Sequence, residues 1–273
     1  MLKRDLVERA IATKYLGPIC GHMRRWEVTA QDVKEICDQW KTKAEDPING
    51  LAQNTLKSYA NALRRLLIRC GCKPECLEGI RRPRGAAPRN VTASDAEFEA
   101  VLTEASAPLR LLMLCARDAG LRISTTLSLE PTNYSTRTDG TQVLEGRAKM
   151  GCSFEVPLTE RLRREIEYAI DRCKPGETLC QALNVRRCPV LRGSVGYMLR
   201  SAKKKAGIRA KWTLHDLRRT AARKLYATTG DIRQAQKFLG HGSINATMWY
   251  LSDPQIQVQK ADVERAMYGK EKS

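Results

Sequence analysis

One break in the composition of the chain limits its architecture more than any other feature. The stretch RRPRGAAPRN, residues 81–90, contains two prolines, one glycine and four arginines and has no apolar periodicity. Such a composition is typical of an extended basic linker. The 273 residues of the chain are enough for two ordinary domains. We therefore predict one domain at residues 1–80, a linker at 81–90 and a second domain at 91–273.

The first predicted domain is a small helical module with a basic face. The stretch QNTLKSYANALRRLLIRCG has apolar residues at helical spacing and ends at a glycine, and VTAQDVKEICDQW is a second amphipathic stretch. Residues 1–90 carry a net charge of +8, from 18 basic and 10 acidic residues, which suits binding to the phosphate backbone of a duplex. The candidates for this contact are Lys57, Arg64, Arg65, Arg82 and Arg84.

The second predicted domain begins with two helices. TASDAEFEAVLTEA starts with Thr92 or Ser94 as its N-cap and has acidic residues in its first turns. The next stretch, LRLLMLCARDAGLR, is apolar on nearly every side, which predicts a buried helix. Gly120 is placed to end this helix and leaves Arg122 at its exit.

A hairpin is predicted after these helices. TQVLEGRAK and SFEVPL are two short extended runs around a tight turn at Met150 and Gly151, with Lys149 near the tip. Helices predominate from there on, and IRQAQKF is predicted to run from an Asp231 cap to Gly240. The predicted fold class is mainly α with a small β-hairpin or sheet, in two domains.

The charge of the chain indicates a polyanionic partner. Lys and Arg number 48 against 30 Asp and Glu, a net charge of +18, which favours nucleic acid. Between Ser201 and Leu225 there are nine basic residues and one acid, Asp216. A solvated helix face normally mixes both signs, so phosphate contact is the better interpretation of this run. The DNA-binding candidates within it are Lys203, Lys204, Lys205 and Arg219.

Several other classes of protein are disfavoured. The chain has no run of eighteen apolar residues and no charged-then-apolar leader, so we expect a soluble intracellular protein without a membrane partner. Ten cysteines in such a chain are expected to be reduced thiols. Cys70, Cys72 and Cys76 lie close together in CGCKPEC, but the spacing of a zinc site and a fourth ligand are missing. No metal site is predicted.

Five motifs occur in order along the second domain. They are GLRIS at 120–124, a hairpin lysine eight residues before the proline of VPL, HDLRRT at 215–220, LGH at 239–241, and a tyrosine nine residues after that histidine. Each motif alone is weak, but together they make the chain resemble the tyrosine recombinase (phage integrase) family over residues 91–260. The helical module is similar in placement to the core-binding domain of that family. The resemblance implies six catalytic residues: Arg122, Lys149, His215, Arg218, His241 and Tyr250.

The resemblance also implies how four of these residues act. Tyr250 would attack the scissile phosphorus and form a 3'-phosphotyrosyl bond. A phenol with a pKa of about 10 is only about 0.1% ionised at neutral pH, so it needs a proton acceptor. His215 would be that acceptor, because cations around it favour the neutral imidazole. Arg122 and Arg218 would each hold two phosphate oxygens through a planar fork.

The other two roles have competitors. Lys149 would protonate the departing 5'-oxygen, and Arg147 is the alternative near the same hairpin tip. His241 would donate a hydrogen bond to the phosphate, although a histidine at this place can also cap a helix end. Tyr226 and Tyr268 are the nearest rivals of the implied nucleophile, and the spacing from LGH decides against them.

The family resemblance extends to cofactors, partners and location. Because the covalent link stores the energy of the broken bond, no metal or nucleotide cofactor is expected. The expected partners are double-stranded DNA and three further copies of the chain, as a homo-tetramer on two DNA sites that passes through a Holliday junction. The expected location is cytoplasmic and nucleoid-associated, in a prokaryote or its virus. The tail after Tyr250 would dock on a neighbouring subunit or on its own domain.

The predicted function is a site-specific DNA recombinase or integrase, and two alternatives remain. A type IB topoisomerase-like enzyme uses a similar constellation on one duplex, but the separate helical module and the LGH spacing favour recombination. A non-cutting DNA-binding protein of the same fold would need basic faces and no nucleophile. One departure from the family is Thr125, which stands where a glutamate is common and which affects the support of Arg122.

Overall fold

The computed structural model describes residues 3–24, 26–44, 52–80, 91–147 and 153–251. The chain forms two compact units, residues 1–87 and 88–273. The predicted linker at 81–90, the hairpin tip with Lys149, and the tail after residue 251 lie outside the described residues. The interpretation of those three segments therefore rests on the sequence.

The first unit is helical around a small apolar core. Its helices are α1 (Lys3–Ile11), α2 (Gly17–Cys20), α3 (Ala30–Ala44) and α4 (Gln53–Cys70), with a π-helical turn at Ala12–Leu16 and a 3-10 turn at Pro74–Gly79. Ile36 and Leu63 are fully buried, and the rings of Tyr15 and Trp40 meet edge to face at 5.5 Å. Gly71 ends α4 with a φ of 68°, which confirms the predicted stop.

The second unit contains the larger core. Its helices are α5 (Asp95–Thr103), α6 (Ala107–Asp118), α7 (Ile123–Leu127), α8 (Glu160–Ile170), α9 (Leu179–Ala182), α10 (Arg192–Lys205), α11 (Leu214–Thr229), α12 (Ile232–Leu239) and α13 (Ile244–Leu251). Helix α6 is buried as predicted, since Leu111 and Cys115 are 0% exposed. Ser94, and not Thr92, caps α5 in a capping box with Glu97.

A small antiparallel sheet lies on the second unit. Its strands are β1 (Tyr134–Thr136), β2 (Gln142–Arg147) and β3 (Ser153–Pro157), in the order β1-β2-β3. Leu144 pairs with Val156, and both side chains are buried because alternate residues of a strand share one face. The predicted hairpin and fold class are confirmed, whereas β1 was not predicted.

Helices α11 and α12 each end at a glycine in the left-handed region. Gly230 ends α11 in the left-handed region, and the Asp231 side chain accepts a hydrogen bond from the Arg233 N–H at 2.7 Å. Gly240 ends α12 with a φ of 54°. The predicted cap and stop are confirmed, and they place His241 directly after a tight left-handed turn.

The cysteines in the described part of the chain are free thiols. No disulfide joins any cysteine in the described part of the chain, and the buried Cys76 thiol donates to the Val28 carbonyl at 2.8 Å. The described ranges contain no group of three or more His, Cys, Asp and Glu residues suited to a metal ion. Within the same ranges, no helix combines the length and apolar character needed to cross a membrane.

Candidate active site

Arg218 is the buried centre of the candidate site. Arg218 lies on α11 and is 2% exposed. Its guanidinium donates hydrogen bonds to the backbone carbonyls of Gly120 and Leu239. A third contact joins its Nη2 to Nε2 of His241 at 3.3 Å. Because these acceptors belong to the end of α6, the end of α12 and the following turn, three segments together fix the orientation of one side chain.

Gly120 allows the turn that reaches Arg218. Its φ is +59°, a region that L-residues rarely adopt. A Cβ at this position would lie 2.5 Å from the ring of Phe238, so any side chain would force that ring to move. The turn directs the Gly120 carbonyl towards Arg218. Helix α7 begins three residues after Gly120, with Arg122 as its N-cap.

A shallow crevice joins the two arginines. Arg122 is half-buried and lines this crevice together with Arg218 and the buried Thr125. The remaining lining residues are Leu121, Phe154, Phe238, Leu239 and Gly240. Two arginines on one crevice concentrate positive charge of the kind that favours a phosphate group.

The contacts of His241 define its protonation. Arginine has donors and no acceptor, so the contact with Arg218 makes Nε2 the acceptor and places the ring proton on Nδ1. That nitrogen lies 3.1 Å from the Thr247 hydroxyl oxygen, to which it donates. Burial, followed by the charges of Arg218 and Arg122, lowers the pKa of His241 to about 4. The imidazole is therefore neutral at physiological pH.

His215 lies in the first turn of α11. Thr213 and Asp216 form a capping box there, in which the Thr213 hydroxyl donates to the Asp216 carboxylate at 2.8 Å. The side chain of His215 is exposed at the surface. Its pKa is nevertheless lowered, first by desolvation and then by the charges of Arg219 and Arg218, which outweigh Asp216. A neutral imidazole that is accessible from outside can accept a proton.

The last two predicted catalytic residues are described in part or not at all. The backbone at Tyr250 belongs to α13, which follows the turn of His241, and the position of its side chain stays a prediction. Lys149 lies outside the described residues. The structure thus brings Arg122, His215, Arg218 and His241 together, and it places the helix of Tyr250 beside them through Thr247.

Comparison with known proteins places the chain in a family. The model of the Phage integrase family matches residues 93–255, which is more than half of the chain. The chain belongs to the phage integrase family. A curated member, "Probable integrase/recombinase YoeC" of Bacillus subtilis (strain 168), is 30% identical over 141 residues, which cover 51% of this chain and 75% of YoeC.

Solved structures agree with this family assignment at the level of the fold. The lambda integrase (75–356) dimer bound to a COC' core site has a TM-score of 0.69 and 18% identity, covering 95% of this chain and 92% of that one. The Tn1549 transposon integrase in complex with circular intermediate DNA has a TM-score of 0.66 and 16% identity, covering 98% and 94%. At these identities the likeness shows a shared fold.

The basic run of this integrase-family chain requires one correction. Lys203 was predicted to contact DNA, but it is 7% exposed, and its ammonium group donates to the carbonyls of Ala210 and Trp212. It also lies 3.7 Å from the centre of the Trp212 ring. The ammonium group is thus engaged by backbone carbonyls and an aromatic ring of its own unit, which points to a structural role for this side chain. Lys204 and Lys205 are exposed at the end of α10 and remain candidates.

Two other DNA-binding candidates are engaged inside their own units. Arg219 lies 3.4 Å from the Asp216 carboxylate and has a side chain only 11% exposed. Arg65 pairs at 2.7 Å with Glu8, which is 2% exposed. These contacts orient both arginines towards protein carboxylates.

Contact with DNA stays a prediction for the remaining candidates. Lys57 is exposed and Arg64 is half-buried on α4, and Arg82 and Arg84 lie outside the described residues.

Two features of the site were not predicted from the sequence. The Thr213–Asp216 capping box has a readable signature, a threonine three residues before an acid at a helix start. Thr247 has no such signal, because a threonine within a helix is usually unremarkable. Its contact with His241 depends on how α13 packs.

Proposed function

We propose that this chain is a site-specific DNA recombinase that cuts and rejoins strands through a 3'-phosphotyrosyl intermediate at Tyr250. The observation that carries the proposal is the convergence of Arg122 and Arg218 on one crevice beside two histidines with lowered pKa values. Tyr250 belongs to α13, the helix whose Thr247 contacts His241 of this cluster. Membership of the phage integrase family supports the same chemistry.

Each residue has a defined part in the strand cleavage that we propose. The phenolic oxygen of Tyr250 forms a bond to phosphorus while the bond from phosphorus to the 5'-oxygen breaks. The phenol proton passes to His215, and Lys149 gives a proton to the departing 5'-oxygen. Arg122 and Arg218 stabilise the charge that gathers on the non-bridging oxygens, as preorganised cations do in phosphoryl transfer.

In the protein without DNA, His241 contacts Arg218, and we propose that it acts on the phosphate through this arginine. Its Nε2 accepts from the guanidinium, so a phosphate that displaces this contact would meet an arginine whose other donors are already oriented. In this arrangement His241 does not donate a hydrogen bond to the phosphate directly. A rotation of the ring or a change of tautomer would be needed for that bond.

The proposal of a DNA partner rests on the net charge of the chain and on the structures of its relatives. The net charge of +18 favours duplex binding, and Lys57, Lys204 and Lys205 are exposed to make phosphate contacts. Lambda integrase has been solved as a tetramer bound to a Holliday junction, with a TM-score of 0.63 and 19% identity to this chain. We propose the same assembly here, a homo-tetramer that exchanges strands between two DNA sites.

Covalent trapping tests the proposal. The full chain is incubated with nicked suicide duplexes taken from the DNA that flanks its gene, and denaturing gels reveal any protein–DNA adduct. We expect an adduct with the wild type, none with Tyr250→Phe, and an undiminished one with Tyr226→Phe, the matched control at an exposed tyrosine of α11. Salt-sensitive binding without an adduct would support the non-cutting DNA-binding alternative instead.

A second assay separates recombination from relaxation. Supercoiled plasmids with one or two copies of the trapped site are incubated with the enzyme. Joining of strands from two different sites supports the recombinase. Relaxation of a one-site plasmid without any exchanged product would point to the type IB topoisomerase-like alternative.

A further inference from the structure

Two described side chains of helix α13 are buried against the second unit. Among its side chains that the structure describes, Thr247 is 0% exposed and Leu251 is 8% exposed. Ile244 and Met248 are 41% and 55% exposed. Leu251 packs in a small cluster with Ala222 of α11 and other apolar residues of α12. The backbone of Tyr250 therefore lies between two anchor points, and one of them is polar.

The polar anchor reaches the arginine centre through one residue. The hydroxyl oxygen of Thr247 lies 3.1 Å from Nδ1 of His241, and Nε2 of the same ring lies 3.3 Å from Nη2 of Arg218. The ring is buried, with 9% of the residue exposed. Since arginine can only donate, each hydrogen bond fixes the direction of the next, from Arg218 through the imidazole to the threonine.

Position 247 is one helical turn before the position of the tyrosine. Three residues of an α-helix advance about 4.5 Å along the axis, so a shift of Thr247 is passed to position 250 through a single turn of backbone. The hydroxyl of Thr247 thus connects the helix that carries the proposed nucleophile to the side chain that would hold the phosphate.

We propose that Thr247 is a positioning residue, whose hydroxyl oxygen accepts a hydrogen bond from Nδ1–H of His241 and so sets the imidazole tautomer for Arg218 and the placement of the Tyr250 helix. The inference deepens the proposed function and rests on it. It gives a role to a residue that makes no contact with the reacting atoms. Its effect should appear in the rate of strand cleavage and not in the affinity for DNA.

Simple packing is the competing explanation, and two substitutions separate it from the proposal. Thr247→Val keeps the branched shape and removes the acceptor. Thr247→Ser keeps the hydroxyl and removes a methyl group. A residue that merely fills space tolerates valine better than serine, whereas an acceptor for Nδ1 tolerates serine better than valine. Thr228→Val is the matched control, because that hydroxyl donates to the Lys224 carbonyl of its own helix.

The first measurement is the single-turnover rate of adduct formation on a trapped suicide duplex, with DNA affinity measured beside it. Loss of a buried acceptor is expected to slow cleavage by Thr247→Val roughly 10- to 100-fold. Thr247→Ser and Thr228→Val should cleave within a few-fold of the wild type, and all variants should bind the duplex alike. Wild-type rates with Thr247→Val, or a serine variant as slow as the valine one, would overturn the inference.

The second measurement does not depend on catalysis. The chain has three histidines, so ring nitrogen chemical shifts of ¹⁵N-histidine-labelled protein can be assigned with a His241→Asn variant. We expect a proton on Nδ1 in the wild type and in Thr247→Ser, and a mixture of tautomers in Thr247→Val. A proton on Nε2 in the wild type would overturn the inference. Absence of any wild-type adduct would instead overturn the proposed function, with the tautomer result still deciding the contact.

Discussion

Arg218 donates a hydrogen bond to the backbone carbonyl of Gly120, 98 residues earlier in the chain. Gly120 stands two residues before Arg122, so this contact ties the arginine of α11 to the segment that carries the other arginine. The buried α6 precedes Gly120 and cannot shift without disturbing the core. The Arg218 guanidinium and the backbone segment of Arg122 are therefore held in one frame, and a fixed cation of this kind favours electrostatic preorganisation.

The first prediction concerns the fork of Arg218. Arg218→Lys should lower the single-turnover cleavage rate about 100- to 1,000-fold, because one ammonium group cannot reach acceptors on three segments and also present a planar pair of donors. The rate of adduct formation on a suicide duplex measures the effect, and circular dichroism verifies the fold. Arg164→Lys on α8, where the side chain is 74% exposed, is the control. Equal rates for the two variants would contradict this role.

The second prediction concerns the pH dependence of cleavage. In the proposed mechanism the neutral form of His215 accepts the phenol proton, and the pKa of this imidazole is lowered from 6.5. We therefore expect cleavage to fall to half of its maximal rate only at a pH below 6.5. The Arg219 charge contributes to this shift, so Arg219→Gln raises the pKa of His215 and moves the decline to higher pH.

Rate profiles against pH for the wild type and Arg219→Gln test this expectation. Lys224→Gln is the control, since Lys224 lies on a later part of α11 and pairs with Asp95 at the start of α5. A decline that stays in place, or that moves to lower pH in Arg219→Gln, would show that His215 is not the titrating group.

The third prediction concerns stability. The pKa of His241 is about 4 in the folded protein, against 6.5 for the ordinary side chain. Between these values the unfolded chain binds a proton that the folded protein excludes, so the free energy of unfolding falls as pH decreases from 6.5 to about 4. The stabilisation is fully present above pH 6.5, and its loss amounts to roughly 3 kcal/mol at most.

Urea unfolding at neutral pH and near the folded-state pKa measures this loss. His241→Asn removes the titrating group, so its free energy of unfolding should change less between the two conditions than that of the wild type. Loss of the buried contacts to Arg218 and Thr247 lowers the stability of this variant at both pH values, so only the difference between the two pH values is diagnostic. An identical difference in both proteins would contradict the prediction.

The fourth prediction separates two adjacent lysines. Lys203→Met should destabilise the second unit by about 1–3 kcal/mol, because it leaves the Ala210 and Trp212 carbonyls without their donor. Lys204→Met should change stability by less than about 0.5 kcal/mol. If Lys204 contacts a phosphate, its loss reduces the salt slope of DNA binding by about one.

Unfolding in urea and titrations of DNA binding over a range of salt concentrations measure both quantities for both variants. A reduced salt slope in Lys203→Met without a loss of stability would restore Lys203 as a DNA contact.

Local patterns explain what could be predicted and what could not. The hairpin, the Asp231 cap and the Gly240 stop were predicted because each depends on a few neighbouring residues. Lys203 was misassigned because a run of three lysines does not indicate which of them faces the core. On a helix, successive residues point in directions about 100° apart, and only the packing of α10 against the following loop decided which one is buried.

The sequence by itself determined the fold class, the family and the identity of the residues that could carry the chemistry, because periodicity, caps and ordered motifs are written along the chain. The tertiary structure alone decided that Gly120, Leu239 and His241 hold Arg218, that His241 is neutral, and that Thr247 is its partner. Hydrogen-bond partners and pKa values depend on distance and burial between segments far apart in the chain. Such quantities exist only once the core has packed.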